Sequence, residues 1–507
     1  MSPFNAQKLF RLILTSRVYE AAVETPLEES VELSEQYGNH VFLKREDLQP
    51  VFSFKLRGAY NRIAHLSQSE RQRGVIAASA GNHAQGVAFS ARHLGIRAVI
   101  VMPKTTPSIK IDAVKHLGAE VILHGDNYSE AAAHCLEIVE KMDMVFIHPF
   151  DDELVIAGQG TVADEIMRQF TGKLDAVFVP IGGGGLIAGM AAYIKTLCPE
   201  VKMIGVEPVD SDAMKRSLAK GSRVTLDSVG IFADGVAVKK VGQLTFDLCR
   251  DYVDEIVLVD TDELCSGIKT VYQATRSIVE PAGGLAVAGL KKYIRENNIS
   301  EQNLVAVTSG ANMNFERLRY VSERTMVGEK QEGLFVIMIP ECPGALHSFC
   351  SEVLGGYNIT EFNYRLSNRD CAHSFVGVSF QDGAERSGFS QSLTNAGVDH
   401  LDLTDNELAK SHIRYMIGGR SSDVSNERLY RLWFPERPGA LTQFLVTMGE
   451  RWNISLFHYR NQGSDFGRVL IGLEVPPVDD VAFSSFLSQL GYHFREETDN
   501  SAYKLFL

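Results

Sequence analysis

The chain has 507 residues, 45% of them hydrophobic and 22% charged, an ordinary balance for a soluble globular protein of about three or four domains. Lys and Arg total 50 against 63 Asp and Glu, and the resulting charge of −13 disfavours partnership with nucleic acid or an anionic membrane. Seven scattered cysteines, with no CxxC pair and no Cys/His ligand spacing, argue against a disulfide framework or a zinc site and fit reduced thiols in the cytoplasm.

From the N-terminus, Lys8 and Arg11 interrupt the apolar run Leu9 to Leu14, so no signal peptide is expected. Ser53-Phe54-Lys55-Leu56-Arg57-Gly58-Ala59 follows, with one lysine between aromatic and aliphatic neighbours ahead of a predicted helix. A lysine so placed is either a surface side chain snorkelling over Phe52 and Phe54 or an amine neutral enough to condense with an aldehyde. Short apolar runs then alternate with helix-length amphipathic segments: Val75–Ala78, Ala98–Met102, Glu120–Leu123, Ala176–Pro180, Met203–Glu207 and Leu304–Thr308. This alternation predicts βαβ units and a mostly parallel sheet covered on both faces, with ligands outside the carboxyl ends of the strands. The uncharged stretch Ala176 to Ile194 contains Pro180 and four consecutive glycines, so it reads as strand, loop and helix instead of a membrane span.

Three loops follow strand-like runs directly. Ser79-Ala80-Gly81-Asn82-His83 offers hydroxyl, amide and backbone N–H groups to an anion, or else Ser79 or Asn82 caps the next helix. His83 has no evident chemical partner and is read as structural. Gly182-Gly183-Gly184-Gly185-Leu186 lets backbone N–H groups approach one anion at a helix N-terminus. No Gly-Lys-Ser/Thr follows, so the loop is not a Walker motif, and the lack of a GxGxxG fingerprint after the first strand disfavours a dinucleotide. Thr308-Ser309-Gly310-Ala311-Asn312 places a serine at the end of the last strand of this part. A serine hydroxyl bonds a neutral pyridine nitrogen, making the ring a weaker electron sink than a pyridinium. An amine, a polar anion loop and a phosphate cradle together suit an enzyme of pyridoxal 5'-phosphate.

Ser322 to Gly333 is polar and breaks the alternation. The expected boundaries are a catalytic part over 1–325, a linker over 326–333, and two repeats over 334–410 and 428–507. The repeats match at a constant offset of 95 residues, which separates Pro343 from Pro438, Asn358 from Asn453 and Tyr364 from Tyr459. Each reads as a strand, a Pro-Gly-Ala-Leu turn into an amphipathic helix, and two further strands, an α+β unit with an antiparallel sheet. Residues 335–405 and 430–507 resemble the ACT family of small-molecule sensor domains.

In this order and spacing, SFKLRGA, SAGNHAQG, the GGGGL loop and TSGAN resemble the fold-type II pyridoxal phosphate enzymes. With the two ACT-like repeats, essentially the whole chain resembles the biosynthetic threonine deaminases (threonine ammonia-lyases). The resemblance implies an α/β catalytic part of two open twisted sheets followed by the α+β regulatory part. It implies that Lys55 carries the cofactor as a Schiff base, with Phe54 beside it, and that Asn82 meets the ring hydroxyl. Gly182, Gly183, Gly184, Gly185 and Leu186 would hold the phosphate. Ser309 would meet the ring nitrogen, Glu280 in VEPAGG would lie near the ring, and Ser79, Ala80, Gly81, Asn82 and His83 would take the substrate.

By the same resemblance, L-threonine is dehydrated and deaminated to 2-oxobutanoate and ammonia, L-serine more slowly, in a cytoplasmic homotetramer at the head of isoleucine biosynthesis. Isoleucine inhibits and valine opposes it. The effector is expected near the turns at 343–346 and 438–441 and the strands carrying Tyr364 and Tyr459, although those tyrosines serve equally as core or interface residues. Racemising relatives tend to carry a second serine where this chain has Ala80, which disfavours racemisation. Those relatives also hold a divalent cation with a glutamate and an aspartate. Glu207 matches the first, but the second aligns best with Ala213; Asp210 or Asp212 is the alternative, and no metal is expected. A β-replacement enzyme and a non-catalytic amino-acid sensor are the remaining alternatives. The intact Lys55 argues against the sensor.

Overall fold

The computed structural model describes residues 6–340, 349, 353–354, 357–366, 371–415, 426–435, 444, 447–448, 451–452, 454–460 and 466–506. The chain forms two compact units, Met1–Val321 and Ser322–Leu507.

The first unit contains two sheets. In the larger, the strand order is β1 (Leu27–Glu29), β2 (His40–Arg45), β10 (Asn303–Thr308), β7 (Ala176–Pro180), β8 (Lys202–Pro208) and β9 (Glu255–Val259). The smaller runs β5 (Glu120–Leu123), β4 (Ala98–Met102), β3 (Val75–Ala78), β6 (Val145–Phe146). Every pairing is parallel except β1 with β2. The six runs singled out in the sequence are all strands. The inner ones, β3, β4 and β7, are buried at every position, because helices cover both faces. β2 and β9 were not singled out. β2 carries charged Lys44 and Arg45 at buried positions, which break the apolar signal.

Two clusters of aliphatic side chains cover the faces of the larger sheet, one centred on Val177, Val179 and Val305 and the other on Phe178, Ile204 and Ala306. Alternation along β7 sends Val177 and Phe178 to opposite faces. Because β3, β7 and β10 run parallel to their neighbours, the loops at 79–83, 181–185 and 309–312 all leave carboxyl ends.

The second unit contains two four-stranded antiparallel sheets of identical plan: β12-β13-β11-β14 and β16-β17-β15-β18. The strands are β11 (Glu332–Pro340), β12 (Asn358–Leu366), β13 (Cys371–Ser379), β14 (His400–Asp402), β15 (Glu427–Pro435), β16 (Ile454–Arg460), β17 (Phe466–Glu474) and β18 (Phe494–Glu496). The duplication extends to register: Phe335 pairs with Val376, as Tyr430 pairs with Ile471. It extends to a bulge as well, between Ile359 and Glu361 in one repeat and Ile454 and Leu456 in the other. Leu334 and Phe375 of the first repeat share a core with Leu429 and Leu470 of the second, so equivalent positions pack across the pseudo-symmetric seam.

The expected linker over 326–333 carries regular structure at both ends. Residues 322–328 complete the helix Arg317–Gly328, and Glu332 and Gly333 begin β11. The segment reads as polar because it carries Arg324, Glu329 and Glu332, yet Arg324 is bound by Glu407 and Glu332 by Arg414. The turns at 343–346 and 438–441 lie outside the described residues. Tyr364 and Tyr459 occupy equivalent places on β12 and β16, opposite Ser374 and Val469. No helix among the described residues is long and apolar enough to cross a membrane.

Candidate active site

Lys55 is the first residue of the helix Lys55–Ala64. The preceding segment is sewn to the end of β10. Ser53 bridges Gly310, Phe54 N donates to the Ser309 carbonyl at 3.2 Å, and Ala311 N donates to the Phe52 carbonyl at 2.8 Å. The amine lies 5.3 Å from the Phe54 ring centroid. Burial pushes it down to about 8, against an upward pull from the Glu280 carboxylate. Lys55 is partly buried.

The helix behind Lys55 is anchored by buried charge. Arg57 spans Glu46 and Glu165, with Nη2 to Glu46 Oε1 at 2.7 Å and Nη1 to Glu165 Oε1 at 2.6 Å. Lys44 Nζ joins Glu165 Oε2 at 2.7 Å, and all four side chains are fully buried. Glu165 also accepts from Tyr19 and from the Thr25 amide, so its remaining acceptor sites are filled.

Asn82 opens the helix Asn82–His93, whose N-cap is Gly81. Neither Ser79 nor Asn82 caps that helix with its side chain, which corrects the capping reading. Asn82 Nδ2 instead donates to Glu280 Oε1 at 2.5 Å, and Asn82 Oδ1 accepts from Asn312 Nδ2 at 2.7 Å. Ser79 Oγ accepts from Gly81 N at 3.3 Å. His83 Nε2 lies 2.9 Å from the Ile147 carbonyl, and burial pushes its imidazole down to about 3. Glu280 is the N-cap position of the helix Pro281–Asn297, and burial with nearby Asp234 pushes its carboxyl up to about 7. Ser309 Oγ donates to the Ala282 carbonyl at 3.0 Å in the first turn of that helix. The site therefore brings Lys55, Asn82, Glu280 and Ser309 into one connected set.

The glycine loop caps the helix Gly185–Leu197. Gly184 lies at φ +93°, a backbone region that side chains rarely adopt. At Gly183 an added Cβ would lie 2.2 Å from the Phe150 ring. Thr245 Oγ1 donates to the Gly183 carbonyl at 2.6 Å and fixes the peptide plane. The first N–H groups of the helix have no intrahelical partner and point out of its N-terminus. Phe150, Thr245 and Asn312 were missed as individual site residues. Phe150 and Thr245 carry no local signal, being 33 residues before and 62 after Gly183 in the chain.

Glu207 accepts from the amides of Met214 and Lys215, both at 2.9 Å, so its carboxylate caps the helix Ala213–Lys220.

Residues 18–310 match the family described as "Pyridoxal-phosphate dependent enzyme". Residues 323–413 and 418–507 each match the "C-terminal regulatory domain of Threonine dehydratase". The chain is 56% identical over 498 residues to the L-threonine dehydratase biosynthetic IlvA of Burkholderia multivorans, covering 98% of both chains. It is 50% identical over 507 residues to the Escherichia coli protein of the same name, covering 100% of this chain and 98% of that one. Among solved structures, the processed form of threonine deaminase isoform 2 from Solanum lycopersicum superimposes with a TM-score of 0.62 at 49% identity. That match covers 64% of this chain and 95% of the other. With its Lys55-centred site and duplicated C-terminal sheets, the chain belongs to the biosynthetic threonine dehydratases, pyridoxal-phosphate dependent enzymes with a two-repeat regulatory domain.

Proposed function

We propose that the site converts L-threonine to 2-oxobutanoate and ammonia, and L-serine more slowly to the corresponding keto acid. The observation that carries this reading is the placement of Lys55 at the start of its helix, with the preceding residues Phe52–Phe54 hydrogen-bonded to the Ser309–Ala311 strand end beside Glu280. The residues present fit the cofactor. The Gly182–Leu186 loop, at a helix N-terminus and with Phe150 occupying the space of a Gly183 side chain, is a cradle for a phosphate. Asn82 would meet the ring hydroxyl and Glu280 would lie near the ring. Ser309 Oγ would exchange its Ala282 acceptor for the ring nitrogen. Phe54 would line the cofactor beside Lys55, and the Ser79–His83 loop would receive the substrate carboxylate through backbone N–H groups and the Ser79 hydroxyl.

When bound, pyridoxal phosphate supplies an electron sink conjugated to the substrate's α-carbon. Lys55 would hold the cofactor, and its Nζ would take the substrate's α-proton as general base. An amine pulled from 10.5 to about 8 is neutral often enough near pH 7 to do so. The β-hydroxyl departs with a proton as water. The enamine then released takes up water to give 2-oxobutanoate and ammonia, so atoms and charge balance. Ser309 would offer the ring nitrogen a hydroxyl where an aspartate would offer a charge, which would favour quick loss of the β-substituent. Ala80 offers no proton donor on the opposite face, which weighs against racemisation.

The regulatory repeats would bind isoleucine as inhibitor and valine as its antagonist, near the strands that carry Tyr364 and Tyr459, in a cytoplasmic homotetramer. Regulation requires each effector to bind two states of the protein unequally. The test is 2-oxobutanoate release from L-threonine by the purified protein, with and without isoleucine. Suppressed release supports both parts of the reading; release indifferent to isoleucine refutes the effector assignment; absent release from threonine and serine refutes the substrate.

A further inference from the structure

The short turn Asp234–Val236 lies between two functional loops without belonging to either. A Cβ added at Gly182 would lie 2.9 Å from Val236 Cα, and one added at Gly235 would lie 3.6 Å from Glu280 Oε1. The turn thus abuts both the glycine loop and the Glu280 carboxyl. Phe232, Ala233 and Val236 pack with Val279, Ala282 and Tyr320, which seats its apolar side.

Its one acidic side chain is gripped from two directions. Lys110 Nζ donates to Asp234 Oδ2 at 2.6 Å, and Arg317 Nη1 donates to Asp234 Oδ1 at 3.1 Å. Arg317 Nη1 also donates to the Phe232 carbonyl at 2.9 Å. The two cations have different origins. Lys110 sits on the helix Ser108–His116, between β4 and β5 of the smaller sheet. Arg317 begins the helix Arg317–Gly328, which follows β10 of the larger sheet. The smaller sheet also carries the Ser79–His83 loop at the end of β3.

We propose that Asp234 is a positioning residue for the reaction, and Lys110 its partner across the two sheets. By pinning the turn to the smaller sheet, the pair sets how closely the Ser79–His83 loop approaches the Gly182–Leu186 loop and Glu280. Arg317 holds the turn to the larger sheet when Lys110 is removed, so the two arms have separable effects. This inference rests on the substrate and cofactor reading above, in which one loop takes the substrate and the other the phosphate. In that reading neither Lys110 nor Asp234 is assigned a contact with the reacting atoms.

The test uses the full-length holoenzyme with Lys110→Met, Lys110→Arg and Asp234→Asn. Lys110→Met is expected to raise the KM for L-threonine by about tenfold, because misplacement of a substrate-positioning element weakens binding without removing a reacting group. Cofactor content should stay at the wild-type level, since Arg317 still holds the turn against Gly182. Lys110→Arg, which keeps the charge, should recover most of the KM. Asp234→Asn weakens both arms and should raise KM and also speed cofactor loss on dialysis. An unchanged KM in Lys110→Met overturns the proposal. So does a Lys110→Arg variant as impaired as Lys110→Met, since that result marks a packing defect. Amide hydrogen exchange gives a reading independent of turnover: Lys110→Met, but not Lys110→Arg, should speed exchange in residues 232–236 and 108–116. If the wild-type enzyme does not use threonine, the substrate reading fails while the exchange result still decides the clamp.

Discussion

Asn82 and Glu280 are 198 residues apart in the chain, and the Asn82 amide donates to the Glu280 carboxyl at 2.5 Å. The pair joins the smaller sheet to the first turn of the helix Pro281–Asn297. Asn82 also accepts from Asn312, so its side chain is held on both sides. Removing a donor from a buried carboxyl costs about 1–3 kcal/mol. Asn82→Ala should therefore lower kcat/KM by about tenfold to a hundredfold through loss of that bond. Asn82→Asp should be worse, because it faces a second carboxyl with the first. Steady-state kinetics on the three proteins test the ranking, and an Asp variant equal to or better than Ala would refute it.

Lys55→Ala should abolish turnover together with the long-wavelength absorbance of the bound cofactor. In the cofactor-free protein the amine has a further signature. Its ordinary value is 10.5 and its folded value about 8, so between these two the unfolded chain binds more protons. Stability conferred through this group is therefore lowest below about pH 8 and recovers as pH rises toward 10.5. Acylation of Lys55, followed by peptide mass spectrometry, should show half-maximal reactivity near pH 8, well below the exposed lysines. Chemical unfolding of cofactor-free Lys55→Ala at pH 7 should show a gain of about 1–2 kcal/mol over the wild type, the stability a charged amine forfeits by burial.

Gly183→Ala should lose cofactor because its methyl group would overlap the Phe150 ring, at 2.2 Å from the nearest carbon. Overpacking of this kind costs about 1–3 kcal/mol even where the neighbours shift. Phe150→Ala in the same chain should open the space and restore part of the bound cofactor, measured as cofactor per subunit after dialysis. A double variant as empty as Gly183→Ala would show that the ring is not what excludes the methyl group.

The Arg57 network should be costly to break and cheap to ignore at the surface. Glu165→Gln leaves Arg57 and Lys44 short of one buried negative charge, and the expected loss is about 3–5 kcal/mol. Arg97→Ala, which removes a half-exposed pair with Glu120 at 2.8 Å, should cost no more than about 1 kcal/mol. Thermal unfolding of the two variants beside the wild type separates them. Similar midpoints would mean that the buried charges contribute no more than the exposed ones.

Local chemistry in the sequence was enough to mark six strands of the first unit, the three loops and the duplicated module, and to single out Lys55 as a candidate. Valine and isoleucine runs, glycines and prolines act within a few residues of themselves, and a repeat of 95 residues shows itself by comparison within one chain. From Ser322 to Gly333 the sequence reads as polar, whereas in the fold Arg324 and Glu332 have charged partners 83 and 82 residues away. Asn82 likewise reads as a possible cap in the sequence, whereas tertiary structure gives that side chain to Glu280 and Asn312. Phe150 against Gly183, Thr245 on the Gly183 carbonyl and Asp234 between Lys110 and Arg317 were decided only by the fold. Each joins residues brought together by the stacking of helices on parallel strands, and parallel strands are by construction far apart in the chain. Backbone periodicity is a property of neighbours in sequence; the partner of a buried charge is a property of neighbours in space.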